Sequence, residues 1–443
     1  MLLNAVISAF TSGRPYRAAR SGVLLAIVLG CSGQTDAPEQ PHTLGDSGVS
    51  EEGNGRVDWP DSIADDTVII SAADLRDAPT YRPTPDLSLG SGRGGEQDEF
   101  GVIGGVAIDG EGRIYVWDTY SYRIRVYAKD GTFIRDIGRK GTGPGEFKRP
   151  TGTSEWQPLN GIAISHDTLF ALDMRLHAFD TAGAYLVSKD MELPIYNSNS
   201  ITATPSGLVL VFALSRQSTK RALQMLTADF SRGVSVDSFV ATQYFHEYGD
   251  PLHRPILPHA FLPYNIGVNG MFYFAVGDSF HVDVRRADGH VATSFIADVA
   301  KVPVSSFDRK DFLEAVQEDM FRLTGGSADD FERSVASDLR AWYAKRPFDG
   351  TRQAISAIII SERGDFLLER PDLTKRPYRR YDQTELSTWT LLNSRGVVKS
   401  HIELPISFLP KVFTNCTVVG VRYTEDGTEL LQRFELADTG CVI

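Results

Sequence analysis

Residues Gly104 to Phe147 read GGVAIDGEGRIYVWDTYSYRIRVYAKDGTFIRDIGRKGTGPGEF. The stretch holds four short runs in which apolar and polar residues alternate, separated by turn-forming residues such as Gly-Glu-Gly and Lys-Asp-Gly. Alternation with a period of two is typical of β-strands, and glycine at such turns supplies the positive φ angles that hairpins need. The pattern predicts one four-stranded antiparallel sheet, which needs neighbouring sheets to bury its faces.

The same pattern returns along the chain at a spacing typical of a repeat protein. A Glu-Phe pair ends a glycine-rich segment at Phe100 and again at Phe147, 47 residues later. The segment Gly-Val-Ala-Ile at Gly105 is matched by Gly-Ile-Ala-Ile at Gly161. Weaker copies follow at residues 202–240, 265–296, 356–402 and 412–435. The sequence therefore predicts an all-β protein with six sheets, although the faint copies also allow five or seven.

The first unit closely resembles an NHL repeat, the blade of a family of six-bladed β-propellers. Residues 105–109, 114–119, 123–127 and 130–133 carry the resemblance. It implies a six-bladed β-propeller built from four-stranded antiparallel blades. The sequence departs from the family at residues 120–122, where Tyr-Ser-Tyr stands and family members often have Gly-Asn-His.

The segment from Leu87 to Gly90 has the pattern of an outer strand, but no inner strands precede it. We expect it to complete the sixth blade, so that the two ends of the chain share one sheet and close the ring. Closure removes the exposed edges that β-proteins otherwise present. Val68, Ile69 and Ile70 are expected to add to the same sheet.

The first 30 residues carry no acidic residue, and three arginines precede an apolar run that ends at Cys31. The run is too short for an ordinary membrane-spanning helix, so it predicts a signal peptide over residues 1–30. Residues 28–31, Val-Leu-Gly-Cys, resemble a bacterial lipobox, which implies lipidation of Cys31; a plain signal peptide with a chance cysteine is the alternative. In Gram-negative lipoproteins, which this segment resembles, a serine such as Ser32 after the cysteine implies the outer membrane, facing the periplasm or the exterior.

Residues 31–65 are predicted to be the lipidated cysteine and a disordered tether, because the segment is too rich in Gly, Ser, Asp and Glu to bury a core. The propeller is predicted over residues 66–443. Without residues 1–30 the chain keeps 57 acidic and 42 basic residues, so its formal charge changes from −12 to −15. Nucleic-acid binding needs a basic face, so this charge argues against a nucleic-acid partner. A monomer is expected.

Two further features are predicted within the propeller. If Cys31 carries lipid, Cys416 and Cys441 remain as an even pair in an oxidising compartment, and we expect them to form a disulfide. From about residue 303 to residue 348, apolar residues recur at helical spacing and interrupt the β pattern. This segment predicts an inserted α-helical hairpin between blades four and five, acting as a structural lid, a cap on the channel mouth or a partner-docking element.

Side chains suited to catalysis are few, and no cofactor is predicted. Imidazole and carboxylate groups could hold Zn or Ca in one loop, but their spacing matches no metal motif and a polar loop is the simpler interpretation. The weak metal candidates are His246, Glu247, Asp250, His253 and His259.

An exposed aromatic and cationic binding patch is predicted at Trp117, Tyr120, Tyr122 and Arg123, with packing between blades as the more ordinary role for Trp117. These features favour a lipid-anchored propeller that binds a protein, peptide or glycan at the cell envelope through loops on one face. The alternative is a metal-dependent envelope hydrolase or lyase with its site at the central channel. A third hypothesis is a sensor or interaction domain in a complex that handles polysaccharide or peptide.

Overall fold

A computed structural model describes the chain from residue 64 to residue 441. The described residues exclude 93–94, 148–160, 174, 191–199, 205–206, 214–219, 227–231, 241–263, 268–269, 276–278, 287–289, 311–350, 353, 371–382, 415 and 437–438. The predicted signal peptide and Cys31 lie outside the described residues.

Within these ranges the chain is mostly β-structure. Helix α1 spans Ala72–Asp77, a short 3-10 helix spans Glu96–Asp98, and residues 306–310 are helical. The strands are β1 (Asp66–Ile70), β2 (Thr80–Tyr81), β3 (Pro85–Leu89), β4 (Ile103–Ile108), β5 (Ile114–Asp118), β6 (Arg123–Tyr127), β7 (Phe133–Ile137), β8 (Arg139–Lys140), β9 (Glu146–Phe147), β10 (Ile162–Ser165), β11 (Thr168–Leu172), β12 (Arg175–Asp180), β13 (Tyr185–Asp190), β14 (Ser200–Thr204), β15 (Gly207–Ala213), β16 (Lys220–Leu226), β17 (Arg232–Val240), β18 (Tyr264–Ile266), β19 (Phe272–Ala275), β20 (Phe280–Arg285), β21 (Val291–Ala297), β22 (Ala357–Ile360), β23 (Phe366–Arg370), β24 (Leu386–Leu392), β25 (Val398–Pro405), β26 (Phe408–Thr414), β27 (Thr417–Tyr423) and β28 (Glu429–Glu435).

Six antiparallel sheets, each built on four strands joined in order, form the blades of a propeller. Blades 1 to 5 consist of β4–β7, β10–β13, β14–β17, β18–β21 and β22–β25, and blade 6 consists of β26–β28 completed by β3. The first strands of neighbouring blades pack against one another from blade 4 through blades 5, 6, 1 and 2 to blade 3, so these strands are innermost. The predicted six-bladed, all-β architecture is confirmed.

The core lies between blades rather than within one sheet. Val106 and Val116 of blade 1, for example, pack in one cluster with Val419 and Val421 of blade 6. Because both faces of the middle strands meet a neighbouring blade, every residue of β5 is buried. A strand buried on both faces reads as a continuous apolar run, whereas the outer strand β7 keeps the alternation of a half-exposed strand.

Two glycine-rich loops precede the first strands of blades 1 and 2, and each ends in a buried phenylalanine. Phe147 ends the second loop, and its ring lies 4.4 Å from the Trp117 ring and 5.1 Å from the His177 ring, centroid to centroid. Gly138 permits this packing, because its φ of +75° is left-handed and a Cβ there would lie 2.2 Å from the Phe147 ring. Phe100 ends the first loop in the same way.

The N-terminal strap, defined here as residues 65–89, crosses the outer edges of three blades. β1 pairs in parallel with β21 of blade 4, β2 pairs in parallel with β25 of blade 5, and β3 pairs with β28 of blade 6. The pairing of β3 confirms the predicted ring closure by the segment that begins at Leu87. The expectation that Val68, Ile69 and Ile70 join blade 6 is wrong, because β1 lies on blade 4; an apolar strand fits any outer edge.

His401 fastens the strap to blade 5. Its Nε2 donates to the backbone carbonyl of Leu75 in α1, at 2.7 Å, and its Nδ1 accepts from the Thr390 hydroxyl, at 3.1 Å. Burial lowers the pKa of His401 and so favours the neutral ring, in which Nδ1 can accept this hydrogen bond. At the start of α1, the Ser71 hydroxyl caps the helix by accepting from the Ala73 amide at 3.2 Å.

Cys416 and Cys441 are joined by a disulfide near the end of the chain. The C-terminal tail curls back to reach it: the Leu436 amide donates to the Cys416 carbonyl at 2.7 Å, and Gly440 turns the chain with a φ of +82°. The disulfide therefore ties the tail to the hairpin that carries β28, the partner of the closing strand β3.

Only the start of the predicted helical insertion lies within the described residues, since residues 306–310 are helical and 311–350 fall outside. Its two ends are held together: Pro303 and Thr351 form an isolated β-bridge, and Arg352 makes an ion pair with buried Asp308. In the part of the chain that is described, no helix has both the length and the apolar character needed to cross a membrane.

Candidate binding surface on blade 1

The loop between β5 and β6 brings three of the four predicted patch residues to one end of blade 1. Tyr120 is 74% exposed, and Tyr122 and Arg123 are partly exposed. Trp117 is only 3% exposed, and its ring packs edge-on against Phe147. The prediction of Trp117 as a binding residue is therefore corrected: it lies within β5, which neighbouring blades cover on both faces.

Asp118 fixes the backbone of this loop by hydrogen bonds to its amides. Its buried carboxylate accepts the Tyr120 amide at 3.1 Å and the Ser121 amide at 3.3 Å. It also accepts the amides of Gly101 and Val102, each at 3.3 Å, and so ties the loop to the segment that leads into β4. Four backbone donors thus share one carboxylate, which accounts for an aspartate at the end of this strand.

The Tyr120 side chain packs closely against Gly101. A Cβ at Gly101 would lie 2.5 Å from the Cβ of Tyr120, so only glycine allows the tyrosine to sit this close to the neighbouring backbone. The ring itself is exposed to solvent, so this large aromatic side chain does not gain the stabilisation that burial would give it. A rigid backbone that presents an exposed aromatic ring is a common feature of ligand-binding surfaces.

A cationic side chain lies over the second tyrosine of the loop. Tyr122 adopts a left-handed backbone with φ of 57°, which is unusual for a bulky residue. The Lys140 Nζ lies 5.3 Å from the centroid of the Tyr122 ring, within the range of a cation–π interaction. Arg123, the next residue, pairs with Asp136 on β7 at 3.0 Å.

The glycine-rich loop of residues 138–147 positions Lys140 and its neighbour Arg139. These two residues form β8, which pairs in parallel with β9. The Glu146 carboxylate holds the loop together, because it accepts the Gly143 amide at 2.8 Å and pairs with Arg139 at 2.8 Å. The same two contacts lower the pKa of Glu146, and the Gly143 amide has the larger effect. Arg139 remains 81% exposed beyond this ion pair.

Sequence reasoning missed Arg139 and Lys140 as members of this surface. They are 17 and 18 residues from Tyr122, and the intervening strands β6 and β7 run away from the loop and back again. An antiparallel pair returns the chain to the end where it began, so the segment after β7 must meet the loop before β6. This rule alone could have placed Arg139 and Lys140 beside Tyr122 from the sequence.

Two clusters of polar groups, in blades 4 and 2, are engaged within their own blade. In blade 4, Asp283 accepts hydrogen bonds from His281, Arg285 and Ser294. Burial raises the pKa of Asp283, but these hydrogen bonds outweigh it and bring the pKa to about 2. In blade 2, Nε2 of the buried His177 lies 3.0 Å from Oδ1 of Asp173. These groups are buried, whereas the blade 1 surface is open to a ligand.

Among the residues described, no group of three or more His, Cys, Asp or Glu side chains is placed to hold a metal ion. The first strands of the six blades, which surround the channel, contain one charged residue, Lys411. A metal at the channel would therefore need ligands from loops. The predicted metal candidates lie outside the described residues, and they are His246, Glu247, Asp250, His253 and His259.

Comparisons with known proteins bear on the fold. A candidate exported protein from Bacteroides fragilis is similar at 12% identity and a TM-score of 0.42, over 83% of this chain and 99% of that one. A member of the DUF4221 family from Bacteroides vulgatus is similar at 12% identity and a TM-score of 0.45, over 80% of this chain and 97% of that one. A catalytically inactive virginiamycin B lyase from Staphylococcus aureus with quinupristin is similar at 11% identity and a TM-score of 0.34, over 75% of this chain and 94% of that one. No curated protein matches the chain significantly. Residues 96–241 match the sequence model of DUF5128, described as a 6-bladed beta-propeller. Together with the six sheets, this match identifies the chain as a six-bladed β-propeller.

Proposed function

We propose that the protein is a binding or scaffold module of the cell envelope, with NHL-type blades, which recognises a protein, peptide or glycan through the loop surface of blade 1. The observation that carries the proposal is Tyr120: a large aromatic ring, 74% exposed, on a loop whose backbone is fixed by Asp118. A ligand that stacks on such a ring gains apolar contact without paying to order the loop, since the loop is already ordered.

We also propose that the protein is exported and held at the membrane by lipid on Cys31, with the outer membrane as the favoured location. The acid-free N-terminus, the short apolar run and the Val-Leu-Gly-Cys sequence at residues 28–31 support this anchor. A lipid anchor of this kind would keep the propeller near its ligand at the envelope.

Replacement of Cys31 by serine is expected to release the protein from membranes. Fractionation of cells that express the Cys31→Ser variant should move the protein from the membrane pellet to the soluble fraction, because the thioether that carries the lipid cannot form. The Ser32→Ala variant keeps the cysteine and serves as the matched control. Unchanged partitioning of Cys31→Ser would contradict the lipid anchor and leave the binding surface unaffected.

Replacement of Tyr120 by alanine is expected to weaken ligand binding by about tenfold or more, as removal of an aromatic anchor does at other interfaces. The measurement is retention of the mature protein on an array of envelope polysaccharides and peptides. Phe307→Ala is the matched control, since Phe307 is also an exposed aromatic side chain, at 58%, but lies outside blade 1. Equal retention of both variants would refute the assignment of the surface.

A further inference from the structure

We propose that the ligand of the blade 1 surface is an anionic polysaccharide, whose sugar ring lies on Tyr120 and whose acidic group pairs with Lys140 and Arg139. This inference rests on the proposed function and narrows its ligand class. The first argument is proximity: Tyr120 and Tyr122 are two residues apart, at most about 7 Å between Cα atoms, and Lys140 sits over the Tyr122 ring. The exposed Tyr120 ring and the Lys140 cation are therefore carried by the same end of blade 1.

The second argument is the state of the two cations. Among the described residues, the contact made by the Lys140 ammonium is with an aromatic face, not with a carboxylate. Arg139 uses one edge of its guanidinium for Glu146 and leaves the rest exposed. Both side chains are on β8, which is fixed by its pairing with β9, and the Arg175 guanidinium clamps that segment by donating to the Glu146 carbonyl at 2.5 Å. The cations are therefore presented to solvent by an ordered backbone.

The third argument separates a glycan from a peptide. An extended peptide gains most of its affinity from main-chain hydrogen bonds to a free backbone. Here the Tyr120 and Ser121 amides donate to Asp118, and the Thr119 amide donates to the Val102 carbonyl. What the loop offers is side chains, namely a flat aromatic face and two cations, and a charged sugar can use these without any backbone donor.

The net negative charge of the chain disfavours binding of a polyanion, but salt limits the range of this repulsion. The formal charge is −12, but at physiological ionic strength charges more than about 8 Å apart are largely screened. Contacts within the patch are closer than that distance, so the local cations decide the interaction. The opposing net charge predicts that only a ligand able to reach Lys140 and Arg139 directly will bind.

The test compares two probes with the same backbone, polygalacturonate and its fully methyl-esterified form, in affinity electrophoresis of the mature protein. We expect retention by polygalacturonate and at least fivefold weaker retention by the ester. Lys140→Gln and Arg139→Gln should each weaken the interaction with polygalacturonate by about two- to fivefold, the range for exposed ion pairs. Lys129→Gln is the matched control, because Lys129 is exposed on the same blade at the opposite end of β6.

Each outcome separates the two proposals. Equal retention by acid and ester, lost in Tyr120→Ala, would overturn the anionic ligand and keep the binding surface. Retention by polyglutamate but not by polygalacturonate would overturn the glycan in favour of an acidic peptide. Polygalacturonate retention that survives Tyr120→Ala, Lys140→Gln and Arg139→Gln together would overturn this site. No retention by either polysaccharide would overturn the anionic polysaccharide, whereas the proposed function fails only if Tyr120→Ala changes no interaction on the array.

Discussion

Replacement of Phe147 by alanine is expected to lower the free energy of unfolding by about 3–5 kcal/mol, the usual cost of deleting a buried phenylalanine. Its ring is fully buried between blades 1 and 2, in contact with Trp117, His177 and Phe179. The ring occupies this place only because residue 138 is a glycine, since a Cβ there would clash with it. Urea denaturation of the mature protein gives the measurement.

Phe307→Ala is the control for this prediction, because the Phe307 side chain is 58% exposed and its removal should change stability by no more than about 0.5 kcal/mol. The Phe147 variant should also lose ligand binding in part, since β9 and β8 present Arg139 and Lys140 from the same loop. A Phe147→Ala protein as stable as the parent would show that the contact between blades 1 and 2 does not depend on this side chain.

Replacement of Asp118 by alanine is expected to cost about 3–5 kcal/mol and to loosen the binding loop. The change leaves the backbone amides that donate to this carboxylate without their acceptor. It also removes the carboxylate that lies 3.7 Å from the buried Arg125 guanidinium, and removing one member of a buried ion pair leaves an uncompensated charge. Stability is read from urea denaturation, and loop order from hydrogen exchange of the Tyr120 amide.

Asp136→Ala is the matched control for Asp118, since Asp136 also pairs with an arginine, Arg123, but does so at the surface. An exposed pair contributes at most about 1 kcal/mol, so this variant should unfold nearly as the parent does. If the exchange of the Tyr120 amide is as slow in Asp118→Ala as in the parent, the loop is ordered by something other than the carboxylate.

Much of the ring could be predicted because its signals are local. The alternation and glycine turns of residues 104–147 reproduce blade 1, and the unpartnered outer strand at Leu87 predicts how the ring closes. The placement of Val68, Ile69 and Ile70 failed because strand pattern reports that a strand is half-buried, not which edge it joins. Choosing between two equivalent outer edges needs the length and path of the intervening chain, here α1 and β2.

The candidate binding surface was predictable only in part. Tyr120 and Tyr122 stood out because the sequence departs from the NHL pattern there; Tyr120 is exposed and Tyr122 is partly exposed. Trp117 has the same chemistry but lies one residue inside the strand end, and burial by the neighbouring blade removes it from the surface. Lys140 reaches the patch only through the return of β7, a tertiary contact that composition does not encode.

The course of the N-terminal strap decides how the molecule would be oriented beneath its anchor. The strap meets the ring at β1 on blade 4, and blades 4, 5, 6 and 1 follow one another around it, so blade 1 lies diametrically opposite in a ring of six. The proposed tether, which runs from residue 32 to the start of the strap, would reach roughly 30–35 Å as a flexible coil. A lipid-bound tether that reaches the ring at blade 4 would leave the opposite blade, which carries Tyr120, away from the point of attachment.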